Sequence, residues 1–260
     1  EDAREYNIIG CVEPQKAGKT DGWHDAAFFN MCRPVELVFS NGYDKGEKIG
    51  PDTGDVTEMA TFEEFYDAYK KQEAYMIELM VNADNAVDAA HAMRCPLPFQ
   101  SCMVDDCIKR GKSLQEGGAV YNFTGPQGFG IANMTDGLLA VKELVYAKKL
   151  VTMAEFKEAL EHNYGKGLRG YEAEKLTTEI AEKVAANGSE VTEDDIKEIY
   201  REVTTGEYLP MDKRKRFDEI LELIAGVQKY GNDIKEADLF ARDVAYTYTK
   251  EVEKYKNFRG

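Results

Sequence analysis

The most informative stretch of the sequence is Tyr6-Asn7-Ile8-Ile9-Gly10-Cys11-Val12-Glu13-Pro14. Its first half is a short apolar run that ends in glycine, a pattern typical of a buried strand leading into a loop. If the chain stays extended, Cys11 and Glu13 point to the same side, because side chains alternate along a strand. A thiol and a proton acceptor could then face one substrate.

Composition limits the classes of partner. The 260 residues carry 33 Lys and Arg against 48 Asp and Glu, a net charge of −15. Nucleic acid and anionic membranes attract basic surfaces, so neither is expected as a partner. No run approaches the ~18 consecutive apolar residues of a membrane span. The charged opening Glu1-Asp2-Ala3-Arg4-Glu5 does not resemble a secretory signal. These features predict a cytoplasmic protein.

The cysteines are odd in number and no export signal accompanies them, which favours free thiols over disulfides. They are Cys11, Cys32, Cys95, Cys102 and Cys107. No Cys-x-x-Cys pair occurs, and the three histidines show no metal-ligand spacing relative to the cysteines. We therefore expect no metal site in the chain.

Helical periodicity dominates the sequence. A capping box at Thr61-Phe62-Glu63-Glu64 opens a predicted helix that reaches about Ala92. Further helices are predicted over 25–41, where Pro34 interrupts or kinks the pattern, and over 138–148, 152–162, 170–227 and 234–255. With a few short buried strands, the fold class is α/β with an excess of helix.

Other stretches are predicted to lack helix. Residues 11–20 contain Pro14 and Gly18 and are predicted to form a loop. The segment 99–103 could be strand or loop. The glycine-rich stretch 111–137 is typical of loops held close to a ligand or to another backbone.

Two nucleotide-binding patterns fail. Gly18-Lys19-Thr20 lacks the earlier glycine of a phosphate loop, because that position is Glu13. Gly128-Phe129-Gly130 lacks the third glycine of a dinucleotide fingerprint, since Asn133 stands there. Neither stretch therefore predicts a nucleotide site.

Several segments resemble the glycyl radical enzymes, the group of pyruvate formate-lyase, glycerol dehydratase, choline trimethylamine-lyase and trans-4-hydroxy-L-proline dehydratase. Gly10-Cys11-Val12-Glu13-Pro14-Gln15 is similar to the family's cysteine loop. The other similar segments, in family order, are Gly22–Asn30, Asp106–Lys112, Gly117–Asn122 and Lys229–Asp233. The resemblance covers nearly the whole chain except about residues 172–225. We interpret this segment as a helical insertion.

The resemblance implies a ten-stranded α/β barrel of two half-barrels wrapped by helices, with the cysteine loop at its centre. Residues 1–260 match the second part of that barrel. The first half-barrel and the family's Arg-Val-Ala-Gly-Tyr-like glycyl radical motif are absent from this sequence. The chain is therefore expected to be a fragment, and to be inactive alone.

In the family, a radical-SAM activating enzyme installs the glycyl radical, which takes a hydrogen atom from the loop cysteine. The resulting thiyl radical abstracts hydrogen from a small-molecule substrate. Cys11 matches that cysteine, and Val12 stands where formate-lyases carry a second one, so acyl transfer is not implied. Members with Cys-x-Glu are eliminases, in which the carboxylate, here Glu13, accepts a proton from the substrate.

The segment 22–30 most resembles trans-4-hydroxy-L-proline dehydratase, which implies loss of water from that substrate. The resemblance also makes His24 and Phe28 candidate substrate-binding residues. From the residues alone, a histidine beside aromatic side chains is more often structural, and a Phe-Phe pair is usually core.

Three hypotheses about the function remain open at this point. The alternatives to the dehydratase are a C–N or C–S lyase of the choline or isethionate type and a non-catalytic helical binding module. The partners implied for the dehydratase are the activating enzyme, the remaining half-barrel with its glycyl radical domain, and a second copy of the full enzyme in a homodimer.

Overall fold

The computed structural model describes residues 1–10, 13–187 and 191–260. Its longest element is helix α2, Phe62–Arg94. The predicted capping box starts it: Thr61 Oγ1 accepts a hydrogen bond from the Glu64 amide, and Glu64 Oε2 accepts one from the Thr61 amide. Phe65, Tyr69 and Ile77 bury the inner face of α2 completely. The helix predicted over 61–92 is confirmed.

The other predicted helices are mostly confirmed. The structure has α1 (Arg33–Phe39), α3 (Pro98–Ser101), α4 (Cys107–Arg110), α5 (Ile131–Ala140), α6 (Met153–Glu161), α7 (Tyr171–Ala186), α8 (Glu193–Thr205), α9 (Met211–Ala225) and α10 (Lys235–Val252). A π-helical stretch, Val141–Ala147, continues α5. Together with α6 to α10, these helices match the predictions over 138–148, 152–162, 170–227 and 234–255. The predicted choice of strand or loop over 99–103 is wrong, because most of that segment lies in α3.

The sheet that positions the site pairs β3, Thr20–Asn30, with β6, Tyr121–Phe129, in parallel. The register runs from Thr20 opposite Tyr121 to Trp23 opposite Thr124, and resumes at Ala27 opposite Pro126. Three residues of β3 therefore stand against one residue of β6, which is a bulge. Parallel pairing requires the long helical connection between the two strands.

The helix predicted over 25–41 is wrong in its first half. Residues 25–30 belong to β3, and α1 begins only at Arg33. Pro34 occupies the first turn of α1, where its missing N–H costs no hydrogen bond, so it starts the helix instead of kinking it. The run Ala26-Ala27-Phe28-Phe29 is continuously apolar and suits either a strand or a helix, and β6 selects the strand.

The prediction of loops over 111–137 is also wrong, because β6 and the start of α5 lie within that stretch. The expected close approach of backbones is present, but inside a strand. A β-carbon on Gly125 would lie 2.9 Å from the carbonyl oxygen of His24, and one on Gly128 would lie 2.8 Å from the Tyr248 ring. Glycine allows β6 to approach both neighbours.

The first strand forms a hairpin. β1, Tyr6–Ile9, pairs antiparallel with β2, Glu13–Lys16, with Ile9 opposite Glu13 and Ile8 opposite Pro14. Residues 11–20 are therefore not a continuous loop. The strand is confirmed, but its predicted burial is wrong: all of β1 is exposed, because its apolar side chains extend beyond the hairpin without packing into the core. A second, short hairpin joins β4 (Tyr43–Asp44) and β5 (Glu47–Lys48).

The main hydrophobic core lies between α2, the α5 segment and α10, and includes Phe65, Leu138 and Val244. A separate small core of Leu168, Ala173 and Val203 holds α7 against α8. The helix-rich α/β class predicted from the sequence is confirmed. Within the described ranges, none of the helices combines the length and apolar character needed to cross a membrane.

Candidate active site

The predicted site lies where the β1–β2 hairpin meets β3. Gly10 has a φ of +64°, a left-handed conformation that favours glycine, and it turns the chain at the end of β1. Cys11 and Val12 lie outside the described residues. Glu13 opens β2 directly after them and is half-buried.

The Glu13 carboxylate folds back over the hairpin. A β-carbon placed on Gly10 would lie 2.5 Å from Glu13 Oε2, so the carboxylate covers the backbone that precedes Cys11. This arrangement brings a proton acceptor to the residue next to the predicted cysteine. The sequence predicts that Cys11 and Glu13 face the same side of an extended strand, and since Cys11 lies outside the described residues, this stays a prediction.

His24 lies on the bulge of β3 and is tied to β2. Its Nε2 lies 3.2 Å from the Pro14 carbonyl oxygen. A carbonyl can only accept, so Nε2 carries the hydrogen in this contact. The ring folds over Gly22, where any β-carbon would overlap it, and lies 5.9 Å from the Phe123 ring. The structure thus places His24 beside the strand that carries Glu13.

Phe28 occupies a different position from His24. It lies beyond the bulge, its side chain is 65% exposed, and its ring meets Phe129 edge-on at 6.3 Å. The neighbouring Phe29 instead points into the core and packs on Tyr248. The interpretation of the Phe-Phe pair as core is therefore right for Phe29 and wrong for Phe28.

Asp25 is a carboxylate on the bulge of β3 that the sequence analysis did not single out. Its side chain accepts a hydrogen bond from the Gln127 amide across the β3–β6 pair, on the bulge next to His24. The two residues are remote in sequence, so no local pattern could have predicted the contact. This hydrogen bond ties the bulge of β3 to β6.

Ion pairs tie the first residues of the chain to this sheet. Lys19 and Tyr121 both donate to Asp2, at 2.7 and 2.9 Å, and these hydrogen bonds hold the pKa of Asp2 below its usual value. Lys16 of β2 pairs with Glu5. Most of the groups in these contacts are partly exposed, and we expect the contacts to fix the hairpin's orientation more than its stability.

Two other cysteines are poorly suited to act as nucleophiles. Burial raises the pKa of Cys107 and of Cys32 above the ordinary thiol value. Both therefore stay protonated at neutral pH, whereas the reactive ionic form of cysteine is the thiolate. Across the described ranges, no three His, Cys, Asp or Glu side chains converge to hold a metal ion.

The family model described as "Pyruvate formate lyase-like" matches residues 1–260. The chain belongs to this family. The prediction that the chain belongs with the glycyl radical dehydratases and lyases is confirmed. The prediction that it forms a portion of their α/β barrel is also confirmed.

Three similar proteins give the scale of the match. A solved structure described as "1,2-propanediol dehydration in Roseburia inulinivorans" is 59% identical, with a TM-score of 0.89 over the whole chain and 31% of that protein. The glycerol-bound glycerol dehydratase of Clostridium butyricum is 45% identical, with a TM-score of 0.77 over the whole chain and 27% of that protein. Trans-4-hydroxy-L-proline dehydratase of Clostridioides difficile is 36% identical over 210 residues, which are 80% of this chain and 26% of the relative. The chain thus spans about a quarter to a third of these proteins.

Proposed function

We propose that this chain is the cysteine-loop portion of a glycyl radical dehydratase that acts on a small vicinal diol. The observation that carries the proposal is the 59% identity, over the whole chain, to the Roseburia inulinivorans structure described as one of 1,2-propanediol dehydration. The glycerol dehydratase follows at 45% identity, and the hydroxyproline dehydratase at 36% over a shorter match. This order favours a diol over hydroxyproline, the substrate that the segment 22–30 suggested.

Cys11 has the role of the hydrogen-abstracting residue in this proposal. As a thiyl radical, its sulfur takes one hydrogen atom from the hydroxyl-bearing carbon C1 of the diol: one C–H bond breaks and one S–H bond forms. After water has left C2, the product radical takes a hydrogen atom back from the Cys11 thiol. The net reaction converts 1,2-propanediol to propanal and water, with no external oxidant or reductant.

Glu13 moves the proton in the elimination step. Its carboxylate accepts the proton of the C1 hydroxyl, which pushes electron density toward C2 and expels the C2 hydroxyl. The departing group needs one proton to leave as water, and the proton on Glu13 supplies it. The carboxylate lies over Gly10, the residue that precedes Cys11 in the sequence, and this position supports the role.

His24 and Phe28 are proposed to line the substrate pocket. The hydrogen bond to Pro14 fixes the His24 ring against the strand of Glu13. Phe28 offers an exposed apolar face on the same strand, β3. The two residues would bind a hydroxyl group and a short alkyl chain respectively.

The proposal extends to the complete protein. The radical that Cys11 would accept comes, in the family, from a glycyl residue that an activating enzyme oxidises, and that residue is not in this sequence. The complete protein is proposed to be a homodimer, with residues 172–225 forming a helical insertion of the barrel domain. That range contains α8, α9 and all of α7 except its first residue.

A second candidate is dehydration of trans-4-hydroxy-L-proline, which the 36% identity over 80% of the chain favours. Substrate competition distinguishes the two candidates. The full-length protein, activated anaerobically by its radical-SAM partner, should be assayed with 1,2-propanediol, glycerol, hydroxyproline, choline and isethionate. We expect kcat/KM for a diol to exceed that for hydroxyproline at least 100-fold. The reverse order would overturn the diol assignment, and turnover of choline or isethionate alone would replace dehydration with C–N or C–S cleavage.

A further inference from the structure

Arg259 inserts a nearly fully buried guanidinium, with a side chain 3% exposed, between β3, β6 and α2. Its Nη1 lies 2.6 Å from Asp21 Oδ2 on β3. Its Nη2 donates to the Phe123 carbonyl and, at 3.0 Å, to Thr124 Oγ1 on β6. One planar group therefore joins both strands of the parallel pair.

The guanidinium also binds the helix behind the sheet. Arg259 Nε lies 3.3 Å from Asp88 Oδ2 on α2, close enough for an ion pair although not aligned for a hydrogen bond. Asp88 is buried and in turn accepts a hydrogen bond of 2.9 Å from Thr124. Two carboxylates thus pair with one cation: Asp88 is buried, whereas Asp21 is partly exposed.

Neighbouring residues seat the segment that carries Arg259. The Asn257 amide donates to the Asn122 carbonyl and to Thr124 Oγ1, both at 3.1 Å. The Arg259 carbonyl packs so closely on Gly117 that a side chain there would overlap it. Its backbone and side chain are therefore both fixed to the sheet.

The cluster around Arg259 lies next to the bulge of β3 that carries His24. Thr124 is paired with Trp23, the last regular pair before the bulge that presents His24. Asp21 lies three residues before His24 on the same strand. The guanidinium thus holds β3 and β6 in register at the point from which the bulge departs.

We propose that Arg259 is a positioning residue that fixes the β3–β6 register and thereby sets the place of His24 against β2 and the substrate. The proposal rests on the proposed function in so far as His24 contacts substrate. Lysine could keep one ion pair but cannot bridge two strands and a helix, because it lacks the planar fork. The geometry, rather than the charge, is what Arg259 contributes.

The first experiment needs no substrate. Hydrogen–deuterium exchange is compared in the full-length protein for wild type, Arg259→Lys and, as a second variant that keeps the arginine, Asp21→Asn. We expect exchange at residues 20–30 and 121–129 to accelerate at least tenfold, while α9 is unchanged. Arg242→Lys is the control, since Arg242 pairs on the surface with Asp243 and is half-exposed. Unchanged exchange in both strands, or a uniform rise throughout the protein, would overturn the proposal.

The second experiment separates positioning from a plain structural role. Turnover of 1,2-propanediol is measured at equal glycyl radical content for Arg259→Lys, His24→Ala and the double variant. We expect Arg259→Lys to lower kcat/KM about tenfold or more in the wild-type background and to change it less than twofold when His24 is already alanine. Equal losses in both backgrounds would overturn the proposal. If the wild type turns over none of the diols, the proposed function fails, and the exchange data alone decide the role of Arg259.

Discussion

The proposed mechanism assigns hydrogen abstraction to Cys11, which stands two residues before Glu13 in the sequence. In the complete, activated enzyme we expect Cys11→Ala and Cys11→Ser to abolish turnover and to leave the glycyl radical formable. The serine variant fails because an alkoxyl radical is much harder to generate than a thiyl radical. Steady-state kinetics with electron paramagnetic resonance measure both properties. Activity within tenfold of wild type in Cys11→Ala, with loss in Cys32→Ala or Cys107→Ala, would remove Cys11 from the mechanism.

The proposed role of Glu13 as the proton acceptor can be tested with a single substitution. Glu13→Gln keeps the shape of the side chain but removes the proton acceptor, and loss of a general base typically costs ~10²–10⁴-fold in rate. We expect kcat for the diol to fall by that amount while KM changes little. A kcat similar to that of wild type at neutral pH would show that Glu13 has only a structural role.

Glu73 is expected to make the stability of the protein depend on pH. It is buried on α2, and Tyr69 donates a hydrogen bond of 2.8 Å to it. Burial raises the pKa of Glu73 to about 7. Because the folded-state pKa lies above the unfolded value, the unfolded state releases this proton first, and the contribution of Glu73 to stability falls as pH rises from about 4.5 to 7.

We therefore expect Glu73→Gln to be neutral at pH 5 and to stabilise the complete protein at pH 8.5. The gain is at most about 3 kcal/mol, because burial raises the pKa of Glu73 from 4.5 to about 7. Thermal unfolding at both pH values measures it. Glu78→Gln, an exposed position on the same helix, is the matched control. Equal melting temperatures of wild type and Glu73→Gln at pH 8.5 would contradict the prediction.

At the scale of elements, β6 packs against α10 only because Gly128 lacks a side chain. Tyr248 of α10 lies over Gly128, is buried, and donates a hydrogen bond of 3.0 Å to the Pro126 carbonyl. An added methyl group would push on the ring at 2.8 Å, and such overpacking typically costs about 1–3 kcal/mol. We expect Gly128→Ala to destabilise the complete protein by that amount in chemical denaturation.

Gly137 provides the opposite case within α5. Nothing lies within 4 Å of a β-carbon placed there. Alanine in a helix interior is favoured over glycine by roughly 0.5–1 kcal/mol, so Gly137→Ala should be stabilising. If both glycine variants changed stability in the same direction, contact with Tyr248 would not be the reason for glycine at 128.

At the scale of the whole molecule, large apolar side chains remain exposed around the sheet and the short helices that follow α2. Fractional exposure reaches 81% at Met93, 77% at Phe99 and 73% at Ile108. Each sheet in the described part of the chain has two strands, so both β3 and β6 keep a free edge. Exposed apolar surface and free strand edges favour association with other chains.

We therefore expect the 260-residue chain expressed alone to be catalytically inactive and to elute as oligomers or aggregates in size-exclusion chromatography. Co-expression with the segments that complete the barrel, and with the activating enzyme under anaerobic conditions, should restore a compact particle and an organic radical signal. A monodisperse 29.3 kDa monomer with cooperative unfolding would contradict this expectation.

Local patterns in the sequence were enough to predict the features that depend on near neighbours. The capping box of α2 and the charged helices of 170–227 follow from residues within a few positions of each other. The strand at 25–30 and its partner at 121–129 depend on tertiary contacts, because an apolar run fits either period until a distant segment supplies hydrogen bonds. The same reason hid the contacts of Asp25 with Gln127 and of Arg259 with Asp21: the chain folds these residues together, and no local pattern records their contact.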